Sequence, residues 1–221
     1  MKFPRINAVS AALIFAMLVA AVVVSACKPA PPGTPALPAA TATPASIEYP
    51  PPSFIASQDC EGLEHGMLPL ANLTISSGGG HDITLQVEVA DEAGERSQGL
   101  MCRDTIPPGT GMLFTYGTDR SSGFWMFNTY APIDILYLDQ SGHVVDNITM
   151  SPCTRGSAKD VNPDSGADDE WRTRCAAEAN DYVPSGSWRN TLELPAGWLE
   201  TPGLGGPLGQ EITVSWTIPG P

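Results

Sequence analysis

Two stretches of the chain decide its fold: VEVADEAGERSQGLMCRDTIPPGTGMLF at residues 87–114 and GFWMFNTYAPIDILYLDQSGHVV at residues 123–145. Both consist of short apolar or alternating runs separated by Gly, Pro, Asp and Asn, a pattern typical of β-strands joined by turns. In the first stretch, Asp91 can cap the N-terminus of a short helix that Gly99 would end. In the second, the tripeptide QSG at 140–142 favours a tight hairpin.

Further strands are predicted outward from these stretches in both directions. The strand candidates are LANLTIS (70–76), DITLQVEVA (82–90), GMLFTY (111–116), GFWMFN (123–128), DILYLD (134–139), HVVDNITM (143–150), WRNTLELP (188–195) and EITVSWT (211–217). AGWLE at 196–200 predicts a second short helix. The expected fold is therefore mostly β with one or two short helices, in the α+β class, built on a small, open, largely antiparallel barrel-like sheet.

The N-terminus has the three parts of a secretory signal peptide, predicted over residues 1–26. Lys2 and Arg5 precede an uncharged apolar run at 8–24, and small residues lead to Cys27. The sequence VVSAC at this point resembles the lipobox of bacterial lipoproteins, in which the cysteine is acylated after cleavage. We expect the protein to be exported and held through Cys27 on the outer face of the cytoplasmic membrane, or on the periplasmic side of the envelope. An uncleaved membrane helix is the alternative.

The rest of the chain divides into a spacer and one domain. Residues 27–53 are rich in Pro, Ala and Thr and predict a semi-rigid tether after the lipidated cysteine. Residues 54–69 are expected to form an N-terminal extension, and 70–217 a globular domain with an acidic insert at 154–187. Loss of the leader leaves nine basic and 24 acidic residues, a net charge of 9 − 24 = −15. Such a surface repels phosphate backbones, so no nucleic-acid partner is expected.

Five segments, in this order, resemble the domain of unknown function 192 family. They are 87–114, 123–145, SPC (151–153), YVPSG (182–186) and LELPAGW (192–198). The resemblance implies a compact β-rich pseudo-barrel that is usually exported or lipid-anchored, and it implies no established activity. Phe127 stands where the family commonly has a basic residue after Trp-Met, and the insert is longer and more acidic than usual.

Four cysteines besides Cys27 predict two disulfides outside the reducing cytoplasm, with three possible connectivities. The family resemblance and the need to close the hydrophilic insert favour Cys153–Cys175, which leaves Cys60 with Cys102. No Cys-x-x-Cys pair and no histidine ligand pair is present, so neither a metal site nor a cofactor is expected.

The candidate ligand site consists of polar and aromatic residues placed inside apolar segments. These residues are Arg103, Trp125, Asn128, Thr129 and Asp134. Gathered at the mouth of a barrel, they would suit a small polar or carbohydrate ligand, because sugar faces stack on Trp while hydroxyl groups take hydrogen bonds. The alternative is structural: Asp134 pairs with Arg103 or Arg96, Asn128 caps a turn, and Trp125 fills the core.

Three functions follow from these alternatives. The favoured one is a non-enzymatic binding or accessory module of the cell envelope. The second is a hydrolase acting on an envelope glycan, with Asp134 as its only plausible acid or base. The third is a purely structural envelope protein. The sequence contains no nucleophile elbow, phosphate loop or dinucleotide fingerprint, which argues against the enzyme classes that depend on them.

Overall fold

The computed structural model describes residues 49–63, 66–78, 80, 82–156, 168–200 and 212–219. The predicted leader and residues 27–48 of the predicted tether therefore lie outside the described residues. Among the residues described, no helix is long and apolar enough to cross a membrane.

The domain contains seven strands and two short α-helices. The strands are β1 (Leu70–Ser77), β2 (Asp82–Ala90), β3 (Met112–Phe114), β4 (Ile133–Leu138), β5 (Val144–Met150), β6 (Asn190–Pro195) and β7 (Ile212–Thr217), and the helices are α1 (Ala93–Gln98) and α2 (Asp168–Glu178). Short 3₁₀ turns lie at Gln58–Cys60, Ala179–Tyr182 and Trp198–Glu200, the last within the predicted second helix.

The strands form one mixed sheet in the order β5-β4-β6-β3-β2-β1-β7. Within the described residues, β2 and β3 are its parallel pair and the other neighbours are antiparallel. The sheet curls into a half-barrel, which brings the β4–β5 hairpin to β7 through a bridge between His143 and Thr213. A side chain at Gly142 would lie 2.1 Å from the carbonyl oxygen of Val214, so this approach requires glycine. The predicted fold class is confirmed.

Apolar residues cover both faces of the sheet. In β3, Met112 and Phe114 belong to one hydrophobic cluster, while Leu113 between them belongs to the other. The first cluster also contains Trp188, and residues of loops and α2 complete it. Strands covered on both faces bury side chains at every position, as β4 does along its whole length. A polar residue that stands between two apolar residues of a central strand is therefore buried as well.

The stretch 123–128 is not a strand, contrary to the prediction. It is an irregular loop in which Phe127 forms an isolated β-bridge with Cys153. Phe124 donates its backbone N–H to the hydroxyl of Tyr137 at 3.3 Å, and Met126 is buried. Aromatic side chains anchor this segment, so its apolar pattern reflects packing of a loop rather than pairing in a sheet.

Two details of the helices also differ from the sequence-based expectations. Helix α1 begins after Glu92 rather than after Asp91. The carboxylate of Glu95 accepts hydrogen bonds from the backbone N–H groups of Asp91 and Glu92, at 3.1 and 3.0 Å. The acidic insert, expected to be hydrophilic with little core of its own, contributes α2, whose Trp171 is buried.

Both predicted disulfides are confirmed. Cys60 is bonded to Cys102, and Cys153 to Cys175. The first fastens the N-terminal extension to the loop after α1, and the second fastens α2 to the segment after β5.

The end of the predicted tether contacts the domain. The hydroxyl group of Tyr49 donates to Glu88 Oε1 at 3.2 Å, and the carbonyl of Ser53 accepts from the N–H of Asp104 at 3.0 Å. Phe54 forms an isolated bridge with Arg103. The described part of the chain is therefore attached to the domain from residue 49 onward.

Candidate functional site

The five predicted site residues do not converge on one point. Arg103 pairs with Glu88, with 3.0 Å between Nη2 and Oε2, and both side chains are buried. Asp134 is 1% exposed and accepts a hydrogen bond from the hydroxyl of Thr149 at 2.6 Å. These two residues therefore lie in separate buried settings.

The expected ion pair of Asp134 with Arg103 or Arg96 is wrong. Arg96 lies over the ring of Tyr116 and donates to the backbone oxygens of Asp91 and Thr115. Arg103 forms its ion pair with Glu88, which is not one of the predicted site residues.

Trp125 and Asn128 do line a common cleft, with a volume of about 620 Å³. Its walls come from the 3₁₀ turn at 58–60 and the residues after it, α1 and Met101, the loop at 123–128, and the acidic insert, through Arg155 at its start and through α2. The lining residues are Asp59, Glu61, Leu63, Gly94, Ser97, Gln98, Met101, Trp125, Phe127, Asn128, Arg155, Trp171 and Arg172. We call this space the Trp125 cleft.

Three stacked aromatic rings form one wall of the Trp125 cleft. The ring of Trp125 lies parallel to that of Phe127 at 5.0 Å between centroids, and Phe127 packs on Trp171 at 4.2 Å. Phe127 and Trp171 are buried, but Trp125 is 39% exposed. The expectation that Trp125 fills the core is therefore wrong, and its indole presents an apolar face to the cleft.

Charged groups border the same wall. Arg155 forms a two-pronged ion pair with the carboxylate of Asp59, with contacts of 2.8 to 3.1 Å, and its guanidinium lies 4.6 Å from the ring of Trp171. Arg172 of α2 lies 4.5 Å from the ring of Phe127. The insert thus brings two cations to the aromatic wall of the cleft.

Asn128 holds the cleft loop to the N-terminal extension. Its backbone has a positive φ of 56°, which Asn tolerates better than most residues. Its side-chain amide donates to the carbonyl oxygen of Asp59 at 2.8 Å, while its own Oδ1 is buried and accepts no hydrogen bond from the described residues. Asn128 therefore ties together the two segments that carry Trp125 and Asp59.

A second, smaller cavity of about 40 Å³ adjoins the cleft, and we call it the Glu193 cavity. Ser97, Gln98, Met101 and Trp125 line both spaces. The remaining lining residues are Arg96, Gly99, Leu100, Phe114, Phe124, Met126, Thr129, Ile133 and Glu193. Thr129, which was predicted to join the ligand site, lies here and donates its hydroxyl to the carbonyl of Phe127 at 3.3 Å.

Glu193 is the functional candidate that the sequence analysis missed. Its side chain is only 4% exposed, and among the described residues no hydrogen bond or ion pair reaches its carboxyl group. Burial alone raises the pKa of this carboxyl from 4.5 to about 8. A carboxyl group in such a setting at the edge of a cavity is a candidate for ligand contact.

Comparison with known proteins identifies the family of this domain. The model of the domain of unknown function 192 family, described as an uncharacterized ACR, matches residues 74–212. The chain belongs to this family. The match spans β1 to the start of β7, so it contains Trp125, Asn128 and Glu193. No protein of curated function matches the chain.

Two solved structures resemble the chain. One is a proposed transcription regulator from Sinorhizobium meliloti 1021, which is 24% identical over 68% of this chain and 98% of its own, with a TM-score of 0.50. The other is a protein of unknown function from Novosphingobium aromaticivorans DSM 12444, 19% identical over 75% of this chain and 92% of its own, with a TM-score of 0.48. The first likeness shows a shared fold.

Proposed function

We propose that this domain of unknown function 192 protein is an exported, lipid-anchored binding module that holds a carbohydrate or similar small polar ligand in the Trp125 cleft. The observation that carries the proposal is the exposed indole of Trp125, stacked on Phe127 above a cleft of about 620 Å³. Small-molecule sites commonly have volumes of about 300–1,000 Å³.

The lining of the cleft suits a sugar better than an apolar ligand. An aromatic face beside groups that donate and accept hydrogen bonds matches a pyranose ring, which has an apolar face and polar edges. Among the lining residues, Arg172 can supply donors and Glu61 an acceptor. Trp125, by contrast, offers an open ring to a stacking partner.

The structure gives less support to the hydrolase alternative. Asp134, the acid or base that the sequence suggested, is 1% exposed and lines neither the Trp125 cleft nor the Glu193 cavity. A binding role requires only the geometry of the cleft.

In this proposal the protein attaches to the membrane through acylated Cys27. A net charge of 9 − 24 = −15 for the chain after cleavage disfavours adhesion to anionic lipid by electrostatics. Two or three acyl chains provide a stable anchor, because each buried methylene contributes about 0.8 kcal/mol. No nucleic-acid partner enters the proposal, for the same electrostatic reason.

A glycan array probed with the full-length protein in detergent tests the proposal. We expect saturable binding to at least one envelope glycan, and we expect Trp125→Ala to weaken it by roughly fivefold or more, because stacked aromatic contacts contribute about 1 kcal/mol or more. The matched control is Ile218→Ala, which removes another exposed apolar side chain, 44% exposed, outside the cleft. Binding that Trp125→Ala leaves intact would contradict the assignment of the cleft, and appearance of cleaved product would favour the hydrolase.

A further inference from the structure

Two glutamates occupy equivalent positions on one face of the central sheet. Glu88 of β2 is paired in register with Met112 of β3, and Met112 is in turn paired with Glu193 of β6. Residues in register across adjacent strands point to the same face, so the two carboxyl groups lie on one row, separated by a methionine. Both side chains are buried, at 1% and 4% exposure.

Only one of the two glutamates has its charge compensated by the described residues. Glu88 receives the guanidinium of Arg103 at 3.0 Å, the backbone N–H of Leu68 at 3.0 Å and the hydroxyl of Tyr49 at 3.2 Å. Glu193 receives none of these, although it is buried as well. A buried carboxylate without a partner is strongly unfavourable, so a group that supplies a positive charge would bind there with a large gain.

The Glu193 cavity has the other features of a site for a small cation. Phe114, Phe124 and Trp125 contribute aromatic rings, which attract ammonium groups. Thr129 contributes a hydroxyl group. A space of about 40 Å³ admits a group little larger than a water molecule or two, and it is far too small for a sugar ring.

We propose that the Glu193 cavity binds the protonated amino group of an amino sugar whose ring lies in the adjoining Trp125 cleft. This inference rests on the proposed function and specifies its ligand. The residues shared by the two spaces place the cleft wall beside the cavity, so one ligand can use both. An N-acetylated sugar carries neither the charge nor a substituent small enough for the cavity.

Among the described residues, the ionisable groups near Glu193 are Arg96, Tyr116 and Tyr137. Arg96 of α1 lines the cavity, but its guanidinium is directed to the backbone oxygens of Asp91 and Thr115. Tyr116, after β3, and Tyr137, of β4, are close enough for the charge of Glu193 to help raise the pKa of each phenol, which burial raises further. Both phenols are thus neutral at physiological pH, and Glu193 is the group that changes its protonation.

Binding of an ammonium group must therefore release a proton. With its pKa at about 8, Glu193 is mostly protonated at pH 6.5 in the free protein. A cation stabilises the carboxylate, so about one proton leaves for each amino sugar bound. For the same reason the affinity should rise about tenfold between about pH 5 and pH 6, where the amino group of the free sugar is still protonated.

Calorimetry on the full-length protein in detergent tests this inference. The probes are a β-1,4-linked glucosamine tetramer and its fully N-acetylated counterpart, each titrated at pH 5.5, where the free amines are protonated, in two buffers of different ionisation enthalpy. We expect the amino tetramer to bind roughly tenfold more tightly or better, with release of about one proton. Glu193→Gln should abolish the preference and the proton release while retaining the weaker binding of the N-acetylated tetramer.

The outcomes separate this inference from the proposed function. Equal binding of both tetramers to the unmodified protein, or binding without proton release, would overturn the amino-sugar assignment and leave the glycan cleft standing. Retention of the amine preference by Glu193→Gln would overturn it as well, since an amide can donate a hydrogen bond but carries no charge. Failure of both tetramers to bind, while the peptide Gly-Lys-Gly binds and releases a proton, would overturn the carbohydrate assignment altogether.

Discussion

Arg103 and Glu88 form an ion pair, with 3.0 Å between Nη2 and Oε2, in which both side chains are at most 5% exposed. The guanidinium also lies 5.0 Å from the ring of Phe54, and its Nε is buried without a hydrogen-bond acceptor among the described residues. The pair joins β2 to the loop after α1 and lies beneath the residues at 49–53. The end of the tether therefore helps to bury this charged pair.

Removing either member of this pair should strongly destabilise the domain. Arg103→Ala leaves Glu88 buried and unpaired, and Glu88→Ala does the same to Arg103, so each should lower the free energy of unfolding by about 3–5 kcal/mol. Replacing Arg103 with Met and Glu88 with Leu in one variant should lower the free energy of unfolding less than either single replacement by Ala does. Urea denaturation provides the measurement.

The matched control for that experiment is Arg189→Ala. Arg189 also forms an ion pair, with 2.7 Å to Asp119, but the aspartate side chain is 61% exposed. Exposed pairs contribute about 1 kcal/mol or less. If Arg103→Ala unfolded at the same urea midpoint as the control, the buried pair would not have the role assigned to it.

The Cys60–Cys102 disulfide should stabilise both the fold and the Trp125 cleft. It closes a loop with a sequence separation of 42 residues, against 22 for Cys153–Cys175, so its loss should cost about 4 kcal/mol, compared with about 3.4 kcal/mol for the shorter loop. Replacing both Cys60 and Cys102 with Ser also frees Asp59, the partner of Arg155, so cleft binding should weaken.

Urea denaturation and non-reducing peptide mapping check the disulfide prediction together. Mapping should recover the two linked peptide pairs, and the Cys60–Cys102 variant should have the lower midpoint of the two double-serine variants. Crossed linkages in the native protein, or a larger loss from the Cys153–Cys175 variant, would contradict it.

The sequence predicts the strands well because their boundaries are set by local residues. The alternation in β1 and β2, and the turn residues at 140–142, determine those elements without reference to the rest of the chain. The apolar run at 123–128 was predicted as a strand because a loop buried by aromatic packing has the same composition. Periodicity alone does not distinguish the two.

The same argument explains why Glu88 and Glu193 were missed. Each lies between two apolar residues of a strand, at the position that faces solvent in a sheet with one buried face. In this domain loops and α2 cover the second face, so the alternate position is buried too. Strand β4, the neighbour of β6, has apolar side chains at four successive positions, 135–138, and this was the available signal that the sheet is covered on both sides.

The anchor prediction concerns the part of the chain that the structure does not describe. Mass spectrometry of the mature N-terminus should find Cys27 as the first residue, carrying acyl chains. Cys27→Ala should leave the protein uncleaved or released from the membrane, because a tether rich in Pro, Ala and Thr provides no other attachment. An unmodified Cys27 thiol in the native protein would be incompatible with lipidation.

The buried carboxyl of Glu193 should make folding stability depend on pH. Its pKa in the folded domain is about 8, against an ordinary value of 4.5, so between these values the unfolded chain binds fewer protons than the folded one. Stability must then fall as the pH rises through this window. Glu193→Gln removes the contribution, so the variant should match the unmodified protein near pH 4.5 and exceed it in unfolding free energy near pH 8. The difference in unfolding free energy near pH 8 should be on the order of a few kcal/mol.

Urea denaturation at a series of pH values measures this difference. The control is Glu200→Gln, which changes an exposed glutamate and should keep the profile of the unmodified protein. Parallel profiles for Glu193→Gln and Glu200→Gln would show that a counter-charge already reaches Glu193, and the cavity would then have no need of a cationic ligand.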